Sequence, residues 1–143
     1  MSGISLFLKK NKIQKKNAKY AATKSLCDEN GNPLEWEIRA ISTIENEKLR
    51  ESCTVEVQVP GKPNLFRPRV LTGKYVAALL AASVVYPDLQ NKELQDSYGA
   101  MTPEELIQLM VDDPVEYNDF AEFVQNFSGL DSTMQDKIDE AKN

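Results

Sequence analysis

The chain has 143 residues, room for one hydrophobic core and no second domain beyond a tail. Its 17 basic and 22 acidic residues leave a net charge of −5, with 41% hydrophobic and 27% charged residues, an ordinary soluble globular balance. Histidine is absent, which removes the usual proton carrier near neutral pH, the Cys/His and Ser/His nucleophile pairs, and imidazole-based zinc sites, so a binding or assembly module is favoured over a catalyst.

Charge is segregated along the chain. Lys9, Lys10, Lys12, Lys15, Lys16, Lys19 and Lys24 occupy residues 1–25 without one acid, whereas residues 101–143 carry eleven acids and two lysines. A basic arm can bind phosphate backbones, but this one has no arginine for base edges and only Phe7 and Tyr20 for stacking. A solvated lysine face that lies against the protein's own acidic half is the simpler reading, with a nucleic-acid-binding or regulatory module as the alternative. The apolar run Ile4, Leu6, Phe7, Leu8 precedes the lysines, the reverse of an export signal. The longest apolar stretch, Tyr75 to Tyr86, is well short of the roughly 20 residues a membrane-spanning helix needs. Cys27 and Cys53 are expected as free thiols in a reducing cytoplasm, both as small core residues.

In chain order, Asp28-Glu29-Asn30-Gly31-Asn32-Pro33 is dense in turn formers and predicts a hairpin joining Lys24–Cys27 to Leu34–Ala40. In the second strand Leu34, Trp36, Ile38 and Ala40 alternate with charged residues, one face on a core. Ser42-Thr43-Ile44-Glu45 has capping-box spacing and opens a helix to about Cys53, with Ile44, Leu49 and Cys53 inward. Val55, Val57 and Val59 predict a third strand ending at Pro60-Gly61. Thr72 is expected to cap a helix through Val85 that stops by Pro87 and, being apolar nearly all round, sits at the centre. A short segment from Asn91 to Tyr98 ends at Gly99. Thr102-Pro103-Glu104-Glu105 starts a helix with the stripe Leu106, Leu109, Met110, and Asp113-Pro114-Val115-Glu116 starts another that Gly129 ends. Met134, Ile138 and Ala141 mark a thin stripe on a last helical segment. The expected fold is α+β and mainly α: a small N-terminal antiparallel sheet, hairpin plus third strand, packed with a C-terminal helical half. The expected organisation is a lysine-rich arm over 1–20, one globular domain over 21–130 and a helical tail over 131–143.

No pattern supports catalysis, a cofactor or a metal. The glycines are isolated, so no dinucleotide or phosphate loop can form, and Gly73-Lys74 is followed by Tyr75 instead of Ser or Thr. Asp28-x-Asn30-x-Asn32 has the opening rhythm of a calcium loop, but Pro33 stands where glycine belongs and Arg39 where a bidentate Glu belongs. Two cysteines without histidine fall short of a zinc site. The pairs Glu104/Glu105 and Asp112/Asp113 lie at helix starts, where capping and the helix dipole account for acids. Tyr117, Phe120, Phe123 and Phe127 cover more of a helix than one core-facing side needs. Core packing is the default for this stripe, and the surplus is the candidate partner surface.

Several stretches carry a resemblance. Residues 28–38, Leu49-Arg50-Glu51-Ser52-Cys53, Val84-Val85-Tyr86-Pro87-Asp88-Leu89, Glu93-Leu94-Gln95-Asp96-Ser97-Tyr98-Gly99 and Glu116-Tyr117 resemble the XkdN-like phage tail assembly chaperones, over roughly residues 20–130. The resemblance implies a non-catalytic cytoplasmic protein that binds the tape-measure protein and keeps this long helical chain soluble until tail tube subunits displace it, with the tail tube protein and self-association as further contacts. It implies no nucleic-acid, membrane or cofactor binding, and a minor structural tail protein is the alternative from the same setting. In related systems the gene is read in two frames, and Ala141-Lys142-Asn143 is compatible with an adenine-rich slip site in the coding DNA. The acidic half would then repel other copies and aid solubility, while exposed aromatics dock helical segments of the tape measure.

Overall fold

A computed structural model describes residues 3–130; the expected tail helix and the slip-site residues lie outside them. Two 3-10 turns, Gly3–Phe7 and Lys9–Asn11, open the chain. Then come β1 (Ala18–Tyr20), β2 (Trp36–Ile38), α1 (Thr43–Ser52), β3 (Thr54–Val59), β4 (Lys62–Val70), α2 (Thr72–Ser83), β5 (Val84–Tyr86), α3 (Lys92–Tyr98), α4 (Pro103–Met110) and α5 (Pro114–Phe127). The fold is α+β and mainly α, as the pattern predicts.

The sheets are partitioned differently from the expectation. The turn at residues 28–33 forms: Leu34 N donates to Leu26 O at 2.8 Å, the Asp28 carboxylate accepts from Asn30 N and Asn32 N, each at 2.9 Å, and Gly31 takes φ +84°. Its arms, however, share one bridge, Cys27 with Pro33. Trp36–Ile38 pairs instead with Ala18–Tyr20, in the register Tyr20 opposite Trp36 and Ala18 opposite Ile38. That register puts Tyr20 and Trp36 on one face, where both rings reach Phe120, a gain that pairing with Lys24–Cys27 does not offer. Leu34, expected inside, is 44% exposed, while Trp36 and Ile38 are buried.

Val55–Val59 does not join this sheet. It pairs with Lys62–Val70, a strand that its two prolines conceal, in a separate antiparallel ribbon turned at Gly61 (φ +75°). The third place in the sheet goes to β5, antiparallel to β2. The helix expected to run to Val85 therefore ends at Ser83, for two reasons: β-branched Val84 and Val85 favour extended backbone, and Pro87 bars Tyr86 from the helical region. Arg39 N donates to Ser83 O at 2.8 Å, which ties the helix end to the sheet. At the other end Leu71, not Thr72, is the cap residue, and Leu71 N donates to Cys53 O at 2.8 Å.

The capping box at Ser42 is present: Glu45 N donates to Ser42 Oγ at 3.2 Å and Ser42 N to Glu45 Oε1 at 3.3 Å. In α1 Leu49 packs on the core and Cys53 is buried just after it, but Ile44 is 65% exposed on the opposite side. Helix α2 sits at the centre as expected, with Ala77, Ala78, Leu79, Leu80 and Ser83 buried against α1, α4 and α5. Thr102 caps α4, whose inward stripe is Leu106, Ile107 and Met110, so Ile107 takes the place expected for Leu109. Asp113 caps α5 by accepting from Val115 N at 2.8 Å. Both cysteines are free, and Cys27 lies on the surface instead of in the core. Among the described residues no helix is long and apolar enough to cross a membrane.

Candidate functional site

Among the described residues every aromatic ring pair includes a side chain of α5. Phe120 is fully buried, with the Tyr20 ring stacked at 5.5 Å and the Trp36 ring edge-on at 5.9 Å. Phe123 stacks on Tyr20 at 4.2 Å and on Phe127 at 5.7 Å, and the Lys15 ammonium lies 4.3 Å from the Phe127 ring centroid and donates to the Phe127 carbonyl. The cation complements both the ring face and the negative C-terminal end of α5. Of the four stripe residues, Phe120 is thus consumed by the core, while Tyr117 on the side facing α4 and Phe123 and Phe127 on the side facing Tyr20 and Lys15 are half-buried. Tyr20, in the stretch read as arm, completes this cluster.

Polar contacts clamp the same helix to the N-terminal half. The Glu116 carboxylate accepts from the buried Thr23 Oγ1 and from Lys24 N, each at 2.8 Å. At the other end Ile41 N donates to Ser128 Oγ at 2.9 Å. Burial, followed by the negative charges of Asp119, Glu116 and Glu122, raises the Tyr20 pKa above its ordinary value and keeps the phenol protonated. Glu116 belongs to the start motif of α5, and its bridge across 93 positions to Thr23 has no local signal in the sequence.

The stretches 84–89 and 93–99 have structural roles. Leu89 is buried, Gln95 Nε2 donates to Leu89 O at 2.8 Å, and Gly99 takes φ +70° to end α3. Tyr86, Pro87, Asp88 and Leu94 line a shallow, open depression of about 400 Å³, and Val111, Pro114 and Tyr117 line one of about 260 Å³ between α4 and α5. Among the described residues no three His, Cys, Asp or Glu side chains converge as a metal site would require.

Among the described residues α5 thus carries half-buried aromatic rings, two open shallow depressions lie on the surface, and the β3–β4 ribbon pairs with no further strand. Comparison with known proteins gives this surface its context. The family model of the phage XkdN-like tail assembly chaperone protein matches residues 4–142. The chain belongs to this family. The match takes in the lysine arm and reaches past residue 130, beyond the 20–130 that the sequence resemblance spans. XkdN of the phage-like element PBSX of Bacillus subtilis (strain 168) is 23% identical over 140 residues, covering 98% of this chain and 93% of XkdN. The uncharacterized protein YqbN of the same organism is also 23% identical over the same share of each chain. The crystal structure of YqbN superposes with a TM-score of 0.74 at 20% identity, covering 92% of this chain and 99% of that one, which shows that the two share a fold.

Proposed function

We propose that this tail assembly chaperone acts in the host cytoplasm, without catalysis, by binding the tape-measure protein and keeping it soluble until tail tube protein displaces it. Membership of the family across nearly the whole chain is the observation that carries this reading. The two flanks of α5 beside its buried face are the docking surface: Phe123 and Phe127 offer half-buried rings on one and Tyr117 on the other. A helical partner with apolar faces would lie along such a flank, held by area with few deep contacts and therefore easily released. The acidic side chains around the flanks, Asp119 and Glu122 among them, keep the free chaperone soluble.

Charge reversal at the flanks tests the site. Tyr117→Glu and Phe127→Glu should each weaken tape-measure binding at least about tenfold while the far-ultraviolet circular dichroism stays that of the parent. Phe120 is not a usable position, since a charge there would be buried in the core. Undiminished binding by both variants would place the contact elsewhere on the molecule.

A further inference from the structure

The chain carries a ligand-like segment and a receiving surface that its own fold does not bring together. Residues Ile4 to Leu8 expose Ile4 (74%), Leu6 (58%), Phe7 (85%) and Leu8 (47%), and none of these side chains packs on the core. Lysines follow at once, of which Lys9, Lys10, Lys12 and Lys16 make no ion pair among the described residues. Opposite in character is the α4–α5 surface: residues 101–130 hold seven acids and no basic residue. Its depression of about 260 Å³ is lined by Val111, Pro114 and Tyr117 together with the polar Gln108 and Asn118 and the acid Asp112, and Leu109 and Val115 are exposed next to it in sequence. A small group of apolar side chains trailed by ammonium groups is what such a site recognises.

We propose that the Ile4–Leu8 segment of one copy seats in the α4–α5 depression of a second copy, with the following lysines against its acids, so that the chaperone associates head to tail. The contact joins unlike surfaces, so the acidic halves that repel one another face to face oppose only a symmetric dimer and leave this heterologous pairing favoured. Phe7, the most exposed aromatic ring, is the anchor, and the charges make the contact sensitive to salt. The inference is tested on the purified chain alone; because the depression includes Tyr117, self-association and the proposed tape-measure contact would compete for that ring.

Sedimentation equilibrium of the full chain over a wide concentration range, at low and high salt, is the first measurement. The average mass should rise with concentration at low salt and return toward the monomer at high salt. Phe7→Glu and Asp112→Lys, each checked for native circular dichroism, should raise the dissociation constant at least about tenfold. Mixed together, they should recover one parental contact, because the first chain keeps an intact depression and the second an intact Phe7 segment. A monomer at every concentration, including one whose arm folds onto its own α5, overturns the proposal. So does association that survives both substitutions, failure of the mixture to recover, or a monomer that binds anionic vesicles through its arm.

Discussion

Glu116 shows how one side chain can hold two distant parts of a chain together. Its carboxylate satisfies the hydroxyl of Thr23, which is 1% exposed, and the amide of Lys24, so that residues 21–24 are held against α5. Glu116→Ala removes both of these charge-assisted hydrogen bonds, leaving Thr23 Oγ1 only its contacts to Ser25, and urea denaturation should register a loss of about 1–3 kcal/mol. Glu116→Gln retains one acceptor and should lose less. Glu45 offers a test by pH. Hydrogen bonds from Arg39, at 2.9 and 2.6 Å, and from Ser42 hold its pKa down at about 2, against an ordinary 4.5. A carboxylate depressed in the folded state stabilises it above the unfolded pKa, and this contribution disappears as pH falls from about 4.5 through about 2. Glu45→Gln should therefore flatten the acid limb of stability over that window, by a modest amount because the pair is over one-third exposed. The thiols give a third check: a disulfide-exchange reagent should titrate Cys27 quickly in the native protein, and Cys53 only as the fold opens.

At the scale of elements, local chemistry was legible and pairing was not. Ser42, Thr102 and Asp113 announce their helices because a cap is written within four residues, and Gly99 and Gly129 mark ends where positive φ is needed. The partner of Trp36–Ile38 is set by Tyr20 meeting Phe120, a contact across 100 positions that no window detects. The aromatic stripe of the candidate site could be read from its spacing, but which ring the core consumes depends on β1 and on Lys15. Likewise β4 was hidden because Pro63 and Pro68 argue against a strand unless it is an edge, where they also discourage unwanted pairing. The β3–β4 ribbon has only two strands, and every residue of β4 before Val70 is exposed. Two-stranded ribbons without a cover are marginal, so amides of residues 55–69 should exchange with deuterium far sooner than those of α2 and α5.

For the whole molecule, function follows from a rigid centre and a segregated surface. Trp36, Leu79, Leu80, Leu106, Ile107 and Phe120 form one core, and Phe120→Ala should cost about 3–5 kcal/mol in thermal or chemical unfolding. Around that core lie a basic arm with exposed apolar side chains and an acidic helical half with half-buried aromatic rings, the features on which the proposed chaperone contacts rest. The most direct measurement is co-expression with the tape-measure protein of the same phage, scoring solubility and co-purification at physiological salt. The account predicts a soluble complex that Tyr117→Glu and Phe127→Glu weaken. An insoluble tape measure, with this chain left alone in solution, would contradict it.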